Sequence, residues 1–352
     1  MAHSLTEVQE FVENERRQCL TDIRRGGKGV DYIQCDENSL PATLERYWQN
    51  VYDSGQLKPI LVSSRRLVRT YGKISGHIDD LETRLLSENA VTLGQMMTDS
   101  RCVNMLTGDI PSFLTEKLRP DFLGQIFLDP IIPSESRLRR DICKGVYTKS
   151  NFYTPFHIDA FGACSWMWIL SGEKTWFVST DWKGGCAALK EFGYTSNFGP
   201  RYNTKFLPAS SPESFFSLTL KENELLIGPP GMLHSVITNK TTLGVTGNGL
   251  AMNAINVHIR LWEDALADDV TRSDDRVRFF PTVFSTIINN WSSVLKSDKS
   301  TVRPWAARVA SALCEQYMKA KPNQVRDHWE MRSAEERNML QRNLLEMTTS
   351  DV

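Results

Sequence analysis

Between residues 121 and 262 the chain carries a series of short runs of aromatic and β-branched residues, separated by glycine, proline and asparagine. Runs of this kind are typical of short strands joined by turns. They are FLGQIFL, CSWMWIL, KTWFVST, SFFSLTL, ELLIGPPG, LHSVIT and INVHIRLW. Many short strands with turn signals predict a β-sandwich or a barrel, so this region constrains the fold more than any other.

The segments on either side of the strand-rich region have helical spacing. Leu44, Tyr47 and Trp48 repeat along one face of LPATLERYWQNVY, and Ser333 with Glu336 forms a capping box before an apolar helix near the end of the chain. We therefore predict three parts: an N-terminal helical region at 1–90, a strand-rich domain at 91–265 and a C-terminal helical region at 266–352.

Composition excludes several classes of function. With 41 Lys and Arg against 42 Asp and Glu, the net charge is -1, so we expect no nucleic-acid partner. The seven cysteines are scattered without a C-x-x-C pair, which favours a reduced compartment over a zinc finger or a disulfide framework. No apolar run approaches the roughly 18–20 residues of a membrane span, and the polar N-terminus is no secretory signal. We expect a soluble protein of the cytosol or nucleus.

The tripeptide HID occurs twice, and a histidine with a carboxylate two residues later is a possible pair of metal ligands. The first copy, His77–Asp79, runs into a segment with helical spacing, where Asp79 is a favourable first-turn residue. Residues two apart on a helix point in different directions, so this copy is predicted to be structural.

The second copy, His157–Asp159, lies among the strand signals, and residues two apart on a strand share a face. A third ligand is available in His234, which follows a Pro-Pro-Gly turn at the start of another strand. Two histidines and one carboxylate form the facial triad of non-haem Fe(II) oxygenases. The spacing alone also fits a buried histidine beside an unrelated surface aspartate.

These residues belong to a wider pattern of motifs. YTPFHID is followed by SGEK one strand later, by PPGMLH before a further strand, and by GN at the end of that strand. Their types, order and separations closely resemble those of the JmjC-domain oxygenases over residues 90–262. The sequence is most similar to the lysine demethylase branch, in which PHD fingers or F-boxes accompany the catalytic domain.

The resemblance implies an α+β protein with a mainly β core, a double-stranded β-helix of the jelly-roll or cupin-like kind, flanked by the helical regions. It implies that His157, Asp159 and His234 ligate Fe(II), with 2-oxoglutarate and O₂ as co-substrates and ascorbate supporting activity. Cysteines at these spacings cannot build a PHD finger or a CxxC zinc module.

The resemblance also implies a set of co-substrate residues. Thr154 and Lys174 are expected to hold the distal carboxylate of 2-oxoglutarate, with Thr154 on the same strand face as the metal ligands. Asn248 and Asn104 are expected to line the same pocket. Met167 departs from the pattern, because it stands where the branch often places a tyrosine and a thioether cannot donate a hydrogen bond.

The implied reaction decarboxylates 2-oxoglutarate to succinate and hydroxylates a C–H bond of a second substrate. We expect N-methyl-lysine on a histone or another peptide, demethylated with release of formaldehyde, in the nucleus and also in the cytoplasm. Hydroxylation of a protein or nucleotide with a stable product is the alternative within the same chemistry, and a catalytically silent scaffold is the alternative outside it. The sequence leaves the target lysine, the C-terminal helices and the oligomeric state open.

Overall fold

The computed structural model describes six stretches of the chain together with a few isolated positions. The stretches are 32–48, 58–63, 104–107, 143–158, 164–179 and 215–249, and the isolated positions are 17, 120, 122–123, 251, 254 and 342. The catalytic aspartate candidate Asp159 and the first HID copy lie outside the described residues, as does the predicted C-terminal helical region at 266–352 except for residue 342. The division of the chain at residues 90 and 265 therefore stays a prediction.

The described part of the chain is mostly β. Its elements, in chain order, are β1 (Ile33–Cys35), α1 (Leu40–Trp48), β2 (Ile60–Ser63), β3 (Asn104–Thr107), β4 (Lys144–Thr148), β5 (Tyr153–Ile158), β6 (Cys164–Ser179), β7 (Phe215–Lys221), β8 (Glu224–Gly228) and β9 (Leu233–Gly249). The strands form one mixed sheet in the order β1-β2-β8-β6-β9-β4-β3, with β5 on β9 and β7 on β6. Only β1 and β2 pair in parallel within this sheet.

Two long strands, β6 and β9, extend through both halves of the sheet. The first half of β6 pairs with β8 and with the second half of β9, whereas the second half of β6 pairs with β7 and with the first half of β9. The register is irregular between Ile169 and Lys174. Gly172 lies there with a φ of 95°, and a Cβ at this position would collide with the backbone of Thr241 and Thr242. The irregular part of the β6–β9 ladder therefore lies at a point that requires glycine.

The hydrophobic core joins the two halves of the sheet. Met167, Ile169 and Leu226 from one half pack in the same buried cluster as Trp176 and Val236 from the other. Because the two halves bury their inner faces against each other, the fold is consistent with a β-sandwich of the cupin-like kind.

Helix α1 confirms the helical spacing of LPATLERYW only in part. Leu40 and Leu44 are fully buried, but Tyr47, predicted on the same apolar face, is 37% exposed and lies under the Arg46 guanidinium at 5.3 Å. In the described part of the chain no helix has the length and apolar character needed to cross a membrane.

Two sequence-based expectations differ from the structure. Strands β1 and β2 lie in the region where helical spacing was predicted. The sequence did not indicate them, because runs of three and four residues are too short to show alternation. The predicted strand FLGQIFL is wrong at its first two residues, Phe122 and Leu123, which form a 3₁₀ turn closed by a bond from the Leu123 N–H to the Pro120 carbonyl. Both side chains are buried, so at these two positions the apolar residues reflect burial rather than strand structure.

Candidate active site

A cavity of about 200 Å³ lies between the two halves of the sheet. Four of the residues predicted to bind the metal or the co-substrate line it together: Thr154, Lys174, His234 and Asn248. They come from β5, from the second half of β6 and from the two ends of β9. The fold therefore brings to one place side chains that are far apart in the sequence.

His234 is held by the turn that precedes it. The predicted Pro-Pro-Gly turn is confirmed: the Met232 N–H donates to the Pro229 carbonyl at 3.2 Å, and Gly231 has a φ of 70°, as a type II turn requires. The Met232 carbonyl lies 3.0 Å from His234 Nδ1. A carbonyl only accepts, so Nδ1 carries the proton and the lone pair of the neutral ring is on Nε2, the nitrogen that a metal would bind.

His157 lies directly opposite His234 in the ladder between β5 and β9. The same ladder pairs Thr154 with Val236, so β5 uses three residue steps where β9 uses two. This bulge surrounds Pro155, which has no N–H to give to the ladder. The extra residue shifts the pairing of β5 with β9 by one position between Thr154 and His157. Asp159 lies outside the described residues, and within them no group of three metal-ligating side chains occurs.

Lys174 is a buried cation in the cavity lining, two residues after Gly172. We call its end of the cavity the inner end. It is 5% exposed, and its Nζ donates to Thr148 Oγ1 at 2.9 Å. Burial lowers the pKa of Lys174 to about 7 from its ordinary value of 10.5. A buried ammonium held by a neutral hydroxyl is suited to receive an anion, since a carboxylate would restore the favourable interactions that the charge lost on leaving water.

The two asparagines differ in what the structure describes. Asn248 lies at the outer end of β9, opposite Ser165 of β6, and both line the cavity. Asn104 lies on β3 opposite Thr148, the residue that accepts the bond from Lys174. Its register position is therefore level with the inner end of the cavity, while its side chain is outside what the structure describes.

Met167 lines the cavity from the first half of β6 and is 9% exposed. Gly244 of the neighbouring β9, which pairs with Ile169, has no side chain, and a Cβ there would lie 3.0 Å from the Met167 methyl group. The thioether therefore fills space against the backbone of β9 without adding a hydrogen-bond donor.

Sequence reasoning missed two polar residues of this site, Thr148 and Lys144, which lie on the inward face of β4. Thr148 holds Lys174, and Lys144 lines the cavity toward its outer end, opposite Thr246. The signal was present as alternation in the segment KGVYT, with Lys144, Val146 and Thr148 on one face. It was weak because the strand has five residues and contains a glycine.

Comparison with known proteins adds a second line of observation. No protein-family model matches the sequence. The chain is 24% identical over 189 residues to the JmjC domain-containing histone demethylation protein 1 of Debaryomyces hansenii, which covers 50% of this chain and 35% of that protein. It is 25% identical over 113 residues to lysine-specific demethylase 7A of Danio rerio and 27% identical over 111 residues to histone lysine demethylase PHF8 of the same species, each over 32% of this chain.

The chain is related to the JmjC histone lysine demethylases. The matched parts cover 35% of the yeast protein and only 12% and 10% of the two fish proteins. The chain therefore spans about a third or less of the length of these JmjC relatives, and most of each named protein lies outside the match.

Proposed function

We propose that the chain is an Fe(II)- and 2-oxoglutarate-dependent oxygenase with a double-stranded β-helix at its centre. One observation carries the proposal: Thr154, Lys174 and His234 line a single cavity between two halves of a β-sheet, together with Asn248. The JmjC relatives support the same chemistry independently of the cavity.

The metal would be held by His157, Asp159 and His234. The residues that the structure describes fit this role, since His234 has its lone pair on Nε2 and His157 occupies the paired position of the neighbouring strand. Bound Fe(II) would supply the activation of O₂, with 2-oxoglutarate as the source of two electrons. The contribution of the chain is to orient the imidazoles, which the Met232 carbonyl does for His234.

Lys174 would bind the distal carboxylate of 2-oxoglutarate, with the Thr154 hydroxyl as a second donor. The cavity wall around them includes the apolar side chains of Trp176, Val236 and Leu226. Apolar walls exclude water, which strengthens the interaction between the ammonium and a carboxylate. This combination favours a dicarboxylate co-substrate whose far end is buried.

The substrate that the names of the relatives indicate is N-methyl-lysine in a histone, and a nuclear location follows from it. Hydroxylation of the methyl group gives a hemiaminal, which releases formaldehyde and leaves lysine with one methyl group fewer. A methylated peptide is therefore the first substrate to test.

Lys144 favours a second candidate, hydroxylation with a stable product. An ammonium donates up to three hydrogen bonds and accepts none, so beyond any contact it already makes it can serve an oxygen of a substrate. It offers no such contact to a methylammonium group, which is itself a cation. Among the described residues that line the cavity no carboxylate occurs to receive such a cation.

The chemistry is tested by succinate production from 2-oxoglutarate in the presence of Fe(II) and ascorbate. We expect His234→Ala to lose metal binding and turnover by more than the roughly hundredfold that loss of an outer metal partner costs. His77→Ala, in the HID copy predicted to be structural, is the matched control and should keep both. Equal loss in the two variants would contradict the assignment of His234 as a metal ligand, whereas a wild-type protein that retains no metal and turns over with no peptide would favour the scaffold instead.

Mass spectrometry of a peptide panel separates the two candidate reactions. Loss of one CH₂ from methylated histone peptides, with formaldehyde released, identifies a demethylase. Gain of one oxygen atom by an unmethylated peptide identifies a hydroxylase. The panel should include acidic and amide-bearing sequences, because these present the acceptors that Lys144 can serve.

A further inference from the structure

Thr148 lies outside the residues that line the cavity but bonds Lys174, which is one of them, and neither the motifs nor the relatives single it out. It is fully buried at the end of β4, and its Oγ1 lies 2.9 Å from Lys174 Nζ. The two residues belong to strands that are not neighbours, because β9 lies between β4 and β6 in the sheet order. The bond therefore crosses the interior of the fold rather than following the ladder.

The direction of this hydrogen bond follows from the donor groups. An ammonium has no acceptor, so while Lys174 is protonated the Thr148 oxygen accepts and one N–H of Lys174 is fixed by it. The lysine side chain is a flexible stem with a compact charge at its end, and its position is set by the acceptors it finds. One fixed N–H leaves two donors with restricted directions, as a carboxylate site requires.

Thr148 is itself held on both sides. Its backbone pairs with Asn104 of β3 and with Thr242 of β9. Thr242 Oγ1 in turn accepts from the N–H of Glu173, the residue before Lys174, at 3.1 Å. Thr242 of β9 therefore positions both partners of the hydrogen bond. It bonds the backbone next to Lys174, and it pairs with Thr148, whose hydroxyl accepts from Lys174 Nζ.

We infer that Thr148 is a positioning residue, which holds the Lys174 ammonium in the orientation that receives the distal carboxylate of 2-oxoglutarate. The inference rests on the proposed function, since it assigns a partner to the same co-substrate site. It assigns a role to a residue on β4, a strand that carries none of the predicted ligands. The role depends on the Thr148 hydroxyl, which bonds Lys174, and not on the threonine methyl group.

The test compares Thr148→Val, which keeps the shape and removes the hydroxyl, with Thr148→Ser, which keeps the hydroxyl. We expect the valine variant to raise the KM for 2-oxoglutarate about tenfold with kcat within about twofold, from the loss of one hydrogen bond to a charged group. Serine should restore the KM to within about threefold of the wild type. If valine does not fold, serine and alanine give the same comparison, because they differ by the hydroxyl alone.

Thr175→Val is the matched control. Thr175 is also buried, but its Oγ1 lies 2.9 Å from Thr219 Oγ1 and accepts from Asn239 Nδ2 at 2.8 Å, so the partners of this hydroxyl lie on β7 and β9 and not on Lys174. We expect it to lower Tm without changing the KM for 2-oxoglutarate. An unchanged KM in the hydroxyl-free Thr148 variants, with a wild type that turns over 2-oxoglutarate, would overturn the role of Thr148 and leave the proposed function intact. A wild type that neither binds nor turns over 2-oxoglutarate would overturn both.

Discussion

The two lysines of the cavity have the same chemical group in different surroundings. Lys174, at the inner end, is 5% exposed and donates to a buried hydroxyl, whereas Lys144, at the outer end, is only partly buried. Lys144 and Thr148 are four residue steps apart on an extended strand, so their Cα atoms lie about 13 Å apart. Because Lys174 reaches Thr148 at one end of β4 and Lys144 starts from the other end, we expect the inner ammonium to serve the co-substrate and the outer one the substrate that is oxidised.

The largest expected effect tests the inner lysine. Lys174→Met keeps the length of the side chain and removes the charge, so we expect the KM for 2-oxoglutarate to rise about a hundredfold, as when one partner of a buried charge pair is lost. The Tm of the unliganded protein should rise by a few degrees, because the burial of an ammonium no longer opposes folding. Lys240→Met is the control, since Lys240 is an exposed lysine 3.5 Å from Glu173. A lower Tm together with an unchanged KM would show that Lys174 is structural.

The pH dependence of co-substrate binding sharpens the same contrast. Burial lowers the pKa of Lys174 to about 7, so the unliganded protein loses this proton as the pH rises above 7. Binding of a carboxylate requires the proton, and we expect the Kd of 2-oxoglutarate to rise by up to about tenfold per pH unit above 7. Calorimetry in buffers of different ionisation enthalpy measures the proton uptake.

Lys174→Arg provides the control for this pH dependence, because a guanidinium stays charged over the whole range. Its Kd should be flat where that of the wild type rises. The unliganded wild type should also gain stability between about pH 7 and 10.5, where the unfolded chain keeps a proton that the folded protein has released. A wild-type Kd independent of pH would contradict the assignment of Lys174 to the carboxylate.

The outer lysine is expected to affect the choice of substrate. Lys144→Met should lower turnover of peptides with a carboxylate or amide acceptor about tenfold and raise turnover of methyl-lysine peptides, since one charged donor is removed. The KM for 2-oxoglutarate should change by less than about twofold. A parallel loss with both kinds of peptide would show that Lys144 does not discriminate between them.

The smallest expected effect concerns Met167. Met167→Tyr introduces the hydroxyl that the resemblance leads one to expect, and we expect the KM for 2-oxoglutarate to fall about threefold to fivefold, as for one additional hydrogen bond. Met167→Phe supplies the ring without the hydroxyl and should give no such gain. Equal KM values for the two variants would place the hydroxyl away from the co-substrate.

Much of the fold could be predicted because its signals are local. The apolar runs of β6, β8 and β9 are visible in the sequence, and the Pro-Pro-Gly turn before His234 follows from the φ preferences of two residue types. Strand β4 could not be found in this way, since five residues of which one is glycine give little alternation. The partner of Lys174 was therefore missed with it.

The sequence by itself determined which chemical groups are present and in what order: two histidines, a carboxylate, a lysine and several hydroxyls in motifs that resemble those of the JmjC oxygenases. Only the tertiary structure decided which of them share a face. Strict alternation would separate Met167 from Lys174, but the irregular register near Gly172 lets both line the cavity. The bulge at Pro155 likewise shifts the ladder by one residue between Thr154 and His157. Shifts of register are set by pairing with the neighbouring strand, and the burial of Lys174 against Thr148 is set by packing across the sheet. Neither can be deduced from one strand alone.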